Sequence, residues 1–142
     1  MAHVREVDLR DPREAARIDG FVRDTPGSTP FHLTGWSRAV ERGCRQRARY
    51  LVAEAANGTL LGVLPLTEMR HPLFGRALAS AGFAVDGGLL VEDASTGEDL
   101  LAAAERLAVT HSCPTIELRG GPVSDQRSGW TLRSQSHCGF VA

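Results

Sequence analysis

A layered α/β domain is the fold class this sequence predicts, and three observations carry the prediction. Two helix-like segments with one apolar face each lie ahead of residue 45. The hairpin signal Asn57-Gly58 sits between two apolar runs. The clearest helical periodicity, Leu100 to Ala108, is followed by one more apolar strand candidate at Thr115 to Leu118.

Val4 to Leu9 mixes apolar and charged residues in near alternation and reads as the first strand. Asp11-Pro12-Arg13-Glu14 then starts a helix: Asp11 caps, Pro12 fits the first helical position, and Glu14 closes a capping box. Ala15, Ile18 and Val22 make its buried stripe, and Pro26-Gly27 ends it. A second helix runs from Thr34 to about Gly43, with Trp36, Ala39 and Val40 on one face and arginines on the other.

Tyr50 to Ala55 and Leu60 to Thr67 read as two strands joined at Asn57-Gly58, where both residues tolerate positive φ. Pro65 cannot donate to a ladder, so a bulge or a sheet edge is expected there. Arg70 to Gly75 reads as a loop, Leu78 to Phe83 as a strand, and Leu89 to Val91 as a short apolar segment after Gly87-Gly88. Ser95-Thr96-Gly97-Glu98 is a second capping box, opening a helix that buries Leu100, Leu101, Ala104, Leu107 and Ala108. Thr115 to Leu118 is a buried strand ended by Gly120-Gly121-Pro122, and Thr131-Leu132 and Phe140-Val141 are expected as last strands. The order is therefore β-α-α-β-β-β-(β)-α-β-β. The chain stops inside its last strand candidate, which fits either internal pairing or the front part of something longer.

At 142 residues the chain suits a single domain that buries roughly two-thirds of its unfolded surface. A core of that size needs neither metal nor disulfide. The formal charge of −1 gives no reason to expect DNA or a membrane surface as partner. Charge is clustered locally, however, with Arg38, Arg42, Arg45, Arg47 and Arg49 in one short stretch. Two readings apply: a solvated helix face followed by a strand start, or a cradle for phosphate or carboxylate groups. The three cysteines, Cys44, Cys113 and Cys138, form no CxxC pair, and their odd number argues against a disulfide framework. Apolar runs fall short of a spanning helix, and His3-Val4-Arg5-Glu6 interrupts any leader, so a reducing cytoplasm without membrane insertion is expected.

Familiar catalytic chemistry finds little support. His111-Ser112-Cys113 and His137-Cys138 lack metal-ligand spacing, so no metal is expected. No GxSxG, GxxxxGK[ST] or GxGxxG segment occurs, and Cys44 sits at a helix C-terminus, where the dipole disfavours a thiolate. Arg76-Ala77-Leu78-Ala79-Ser80-Ala81-Gly82 imitates a pyrophosphate-cradling turn in composition only, since no helix pattern follows it.

Three segments, in order and spacing, resemble one family. The first is Phe31-His32-Leu33-Thr34-Gly35-Trp36 with its helix. The second is Tyr50-Leu51-Val52-Ala53-Glu54, the Asn57-Gly58 turn and Leu61-Gly62-Val63-Leu64-Pro65-Leu66. The third is Leu73-Phe74-Gly75-Arg76-Ala77-Leu78, then Phe83, Asp86-Gly87-Gly88 and Ile116-Glu117-Leu118-Arg119. Together they look like the N-terminal half of FemAB-related proteins, in particular the exosortase (PEP-CTERM) system-associated group. The resemblance implies a GNAT-type acyltransferase fold, with residues 1–142 matching the first of the two such domains that FemAB-type proteins carry. It further implies an N-acyl or aminoacyl transfer to a cell-envelope or exopolysaccharide-related amine, with acyl-CoA or aminoacyl-tRNA as donor. This first domain would contribute the acceptor side of the cleft, completed by a second GNAT-like domain or by a homodimer. Val85-Asp86 departs from the family pattern, where an aromatic residue is expected before the glycine pair.

Within that frame Asp86 is the catalytic candidate: a carboxylate beside paired glycines can bind an amine or take its proton, although Asp-Gly-Gly also makes a plain turn. The substrate-binding candidates are His32, Trp36, Arg70, Arg76, Phe83, Gly87, Gly88 and Arg119. Several have a plainer reading: a core position for Trp36, a helix cap or solvated ring for His32, and a pair with Glu117 or another surface acid for Arg119, with a like alternative for Arg70 and Arg76, which flank the Pro72 loop and could hold an anionic acceptor. Two other functions stay open, a binding or scaffold module that lost its donor site, and a stand-alone acetyl-CoA-dependent N-acetyltransferase.

Overall fold

The computed structural model describes residues 2–73, 75–122 and 127–132. β1 (His3–Glu6) leads to α1 (Pro12–Asp24), a 3-10 turn (Pro30–His32) and α2 (Thr34–Cys44). β2 (Arg47–Glu54), β3 (Leu60–His71) and β4 (Gly75–Ser80) form a meander, followed by the two-residue β5 (Leu90–Val91), α3 (Ala94–Thr110) and β6 (Thr115–Leu118). Among the described residues the sheet has six strands, ordered β1-β2-β3-β4-β6, with β5 also paired to β3. All pairs are antiparallel except β4 with β6, which run parallel because α3 carries the chain back to the starting end of the sheet.

Strand alternation distributes the core over both faces. Leu51, Ala53, Leu64, Leu66 and Leu78 point to one side, where Leu100, Leu101, Ala104 and Ala108 of α3 cover them. Tyr50, Val52, Val63 and Leu90 point to the other, against Ile18 and Val22 of α1. The sheet is thus a layer between α1 and α2 on one face and α3 on the other, the mixed α/β design expected.

Several local expectations need correction. Asp11 caps α1 by accepting from the Arg13 N–H at 2.9 Å, but Glu14 turns away to pair with Arg5 and Arg17. At the hairpin only Gly58 takes positive φ (+86°), while the Asn57 side chain accepts from the Thr59 N–H at 3.0 Å. Pro65 lies in a central strand, opposite Tyr50 in unbroken register. It is tolerated because β3 changes partner there, pairing with β5 through Gly62 and Val63 and with β4 only from Thr67 onward. β3 continues to His71 through residues read as loop, and β4 stops at Ser80, leaving Phe83 outside the strand. α3 is capped by Asp93, which accepts from the Thr96 N–H at 2.7 Å, two residues ahead of the expected box. β6 is half exposed rather than buried, and Thr131-Leu132 forms no strand. Phe140-Val141, His137 and Cys138 lie outside the described residues.

The polar end of β3 is held by charge. The Glu68 side chain is completely buried, with Arg70 donating to one carboxylate oxygen. Arg49 Nη2 and His111 Nδ1 both stand 3.6 Å from the other oxygen, and Arg49 Nη1 pairs with Glu6 at 3.1 Å. Burial pushes the Glu68 carboxyl up, but Arg70, Arg49 and His111 outweigh it and hold the group below its ordinary value.

Truncating Leu100, which is fully buried, to alanine is expected to cost about 2–5 kcal/mol in urea unfolding. The half-buried Leu107 truncated in the same way should cost clearly less. Equal losses would contradict the face assigned to α3.

Candidate functional site

The parallel strands β4 and β6 release the chain at the same end of the sheet, Ser80 opposite Leu118. Two loops therefore meet there: residues 81–89 after β4, and Arg119-Gly120-Gly121 after β6. Their backbones are in contact, because a Cβ on Gly88 would overlap the Gly120 carbonyl oxygen and a Cβ on Gly120 would overlap the Asp86 carboxylate. Only glycine permits that approach.

Asp86 is half-buried at this junction. Its Oδ1 accepts the Gly87 N–H at 2.7 Å, and its Oδ2 has no partner among the described residues. Phe83 takes a left-handed conformation (φ +60°) and is 54% exposed, and the neighbouring Val85 is exposed as well. A non-glycine residue held at positive φ costs energy, which the surrounding loop contacts offset. Arg119 spans the two loops, donating from Nη1 to the Ala84 carbonyl at 2.6 Å and from Nε to Glu117 at 3.0 Å.

The loop is pinned from the other face by the segment ahead of α2 and by α2 itself. Trp36 Nε1 donates to the Gly82 carbonyl at 3.0 Å, and its ring meets Phe31 edge-to-face at 4.8 Å. The Gly82 N–H in turn donates to Thr67 Oγ1 at 3.1 Å. His32 is buried, with Nδ1 accepting the Thr29 N–H at 2.9 Å and Nε2 lying 3.0 Å from the Gly88 carbonyl. Since Nδ1 accepts, the proton resides on Nε2 and is donated to Gly88. The Tyr50 hydroxyl donates to the His32 carbonyl at 2.6 Å. Burial lowers the His32 pKa, with the Gly88 carbonyl and the Asp86 charge opposing. Burial also drives the Tyr50 phenol well above its ordinary value, so both groups are neutral.

Seven of the nine residues singled out from sequence come together here: His32, Trp36, Phe83, Asp86, Gly87, Gly88 and Arg119. Their roles differ from a simple ligand list. His32 and Trp36 hold the loop rather than face outward, and Arg119 both pairs with Glu117 and ties the loops together. Arg70 and Arg76 are placed elsewhere, opposite one another near the β3–β4 turn. Arg70 serves the buried Glu68, and Arg76 Nη1 reaches the His111 carbonyl at 3.4 Å. The sequence marks Tyr50, Thr67 and Gly120 only as strand and loop residues, not as part of a site. The one available signal was that two glycine pairs, Gly87-Gly88 and Gly120-Gly121, each follow a strand.

Among the described residues no three His, Cys, Asp or Glu converge to hold a metal ion, and no helix is long and apolar enough to cross a membrane. No backbone cradle for a diphosphate forms from the Arg76–Gly82 stretch, because Arg76 to Ser80 is strand β4. The Ala81 and Gly82 N–H groups are engaged by the Asp86 carbonyl and the Thr67 hydroxyl.

No family model matches the chain, and no curated protein is similar to it in sequence. Solved structures do match. A GNAT family acetyltransferase of Staphylococcus aureus subsp. aureus USA300_TCH1516 superposes with a TM-score of 0.62 at 12% identity, covering 99% of this chain and 98% of that one. A ribosomal-protein-alanine N-acetyltransferase from Brucella melitensis biovar Abortus 2308 superposes with a TM-score of 0.60 at 15% identity, over 100% and 99%. FemX matches 78% of this chain with 25% of its own, at 17% identity and a TM-score of 0.56. The chain has the GNAT-type acyltransferase fold, as the sequence resemblance implied.

The His32 arrangement has a pH consequence. The unfolded imidazole binds its proton near pH 6.5, and the folded one only at lower pH. Between those values the unfolded state holds more protons, so stability rises with pH there and is lost as pH falls through the window. Unfolding free energy measured from about pH 7 to about pH 5 should decline, and His32→Gln should flatten that decline. An unchanged slope in the variant would place the titrating group elsewhere.

Proposed function

We propose that this chain is an acyltransferase-type domain of FemAB-like kind that contributes the acceptor side of a cleft. Its acceptor is an amine on a cell-envelope or exopolysaccharide-related molecule. The observation that carries the reading is the Oδ2 of Asp86, without a partner among the described residues and presented where the loops after β4 and β6 meet. An amine attacks an acyl carbonyl only when its lone pair is free, so a carboxylate that hydrogen-bonds the ammonium and takes its proton is the group required. Phe83 and Val85, exposed beside it, supply an apolar rim that positions and partly desolvates the acceptor.

The start of α3 supports an acceptor role over a complete acetyl-CoA enzyme. A donor diphosphate is favoured at a helix N-terminus by free N–H groups and the positive dipole end. At α3 that position is taken by Asp93, whose carboxylate accepts the Thr96 N–H and hydroxyl and is held below its ordinary pKa by those bonds. A diphosphate there would face a like charge. The donor, acyl-CoA or aminoacyl-tRNA, therefore comes with a second GNAT-like domain or a second copy of the chain, in the cytoplasm.

Two titrations followed by amide NMR test this. Glucosamine, a simple amino sugar, should shift the resonances of Asp86, Gly87, Gly88 and Gly120 saturably, and Asp86→Asn should abolish the shifts while preserving the spectrum elsewhere. Acetyl-CoA at millimolar concentration should give no saturable shifts. Saturable acetyl-CoA binding that is lost in Arg76→Ala would instead make the domain a stand-alone acetyltransferase. Absence of any glucosamine response would favour the scaffold reading.

A further inference from the structure

We infer that the arginine-rich stretch singled out in the sequence builds a second binding site, for a small monocarboxylate, on the β1–β2 side of the sheet. A groove of about 550 Å³ lies there, between the end of β1, the start of β2 and the side of α2 that carries Arg38 and Glu41. It is separated from Asp86 by the width of the sheet, since β1 and β2 form one flank and β4 and β6 the other. Its volume falls within the usual range for small-molecule sites.

The charges around the groove are mostly matched in pairs. Arg10 Nε binds Asp8 at 3.0 Å, Arg38 Nη1 binds Glu41 at 3.1 Å, and Arg49 Nη1 binds Glu6 at 3.1 Å. Arg47 remains: it lines the groove and is exposed, and among the described residues its guanidinium has no carboxylate or hydrogen-bond partner. Four guanidinium groups against three carboxylates leave one uncompensated positive charge, and it sits on Arg47. Several of the surrounding side chains are themselves fixed. Arg49 is only 9% exposed, and Glu41 also accepts the Ala48 N–H at 3.0 Å, which ties α2 to β2.

This balance selects the ligand. A guanidinium fork matches a carboxylate in two parallel hydrogen bonds, and one negative charge neutralises the site. A phosphate dianion would overshoot the charge and meet Glu6, Asp8 and Glu41 close by. Val7, Leu9 and Ala48 provide apolar lining, so the ligand carries a short hydrocarbon portion behind its carboxylate. Seating both parts gives specificity that neither gives alone.

The test is an NMR titration of the full chain, following arginine Nε–H and backbone amide signals, with three probes: butyrate, inorganic phosphate and n-butylamine. Butyrate should shift Arg47, Ala48 and Leu9 saturably, and phosphate and butylamine should bind at least tenfold more weakly. Arg47→Gln should weaken butyrate at least tenfold. Arg42→Gln, an exposed α2 arginine outside the groove, should leave it unchanged. Non-saturable shifts, equal weakening in both variants, or phosphate binding as tightly as butyrate would each overturn the proposal. Because Asp86 is untouched in both variants, the glucosamine response stands or falls independently of this result.

Discussion

Beyond its own N–H, His32 offers three polar positions, and each is tied to a different part of the chain. Nδ1 takes the Thr29 N–H, Nε2 gives its proton to the Gly88 carbonyl, and the residue's own carbonyl takes the Tyr50 hydroxyl from the middle of β2. The ring is buried, so none of these bonds is shared with solvent. Leaving any one unmade would strand a polar atom in an apolar setting, at a cost of about 1–3 kcal/mol. The entry to α2, the central sheet and the loop after β4 are thereby fixed relative to one another. Trp36 and Thr67 then act on a loop already held at its far end.

That arrangement explains why the loop after β4 can carry a strained residue and a half-exposed carboxylate together. Phe83 stays in a left-handed conformation because Gly82 is bound on both its N–H and carbonyl sides and Arg119 holds the Ala84 carbonyl. Asp86 is presented by backbone that has little freedom to retreat, and groups placed with that kind of support suit positioning chemistry. The GNAT-type fold supplies the parallel β4–β6 pair that brings the two loops together. Fold alone does not define an activity; what is particular to this chain is Asp86 and its surroundings.

The legible parts of the sequence were those governed by local rules. Asp11-Pro12 marked the start of α1 because capping and proline geometry act within one turn, and the stripe from Leu100 to Ala108 marked α3 because its period reflects a single packed face. The far end of β3 was not legible: the sequence pattern ends the strand at Thr67 and gives Arg70 as loop, and ion pairing with Arg70 alongside and with Arg49 and His111 far off in sequence makes Glu68 tolerable inside. The cap of α3 was misplaced because Ser95 and Glu98 satisfy the capping-box pattern while Asp93, two residues earlier, satisfies the geometry. At the candidate site, seven residues drawn from the sequence lie together, but the contacts that hold them were not legible. Nothing in the local sequence distinguishes a histidine that latches a loop from one that faces a ligand, since the difference lies in Thr29, Tyr50 and Gly88.

The buried Glu68 also guards against misassembly. A sheet of this kind could in principle form with β3 shifted by one position against β2, and most aliphatic residues of β3 would find apolar company on either face. Glu68 would not. Displaced by one residue, its carboxylate would keep Arg70, two residues along the same strand, but leave Arg49 and His111 and turn toward the side packed by Ile18 and Val22. Taking a buried carboxylate away from two of its polar neighbours costs more than one correct apolar contact contributes. A single acid thus favours one alignment of the longest strand, with Arg49 and His111, which belong to other parts of the chain, as the key that only the native register fits.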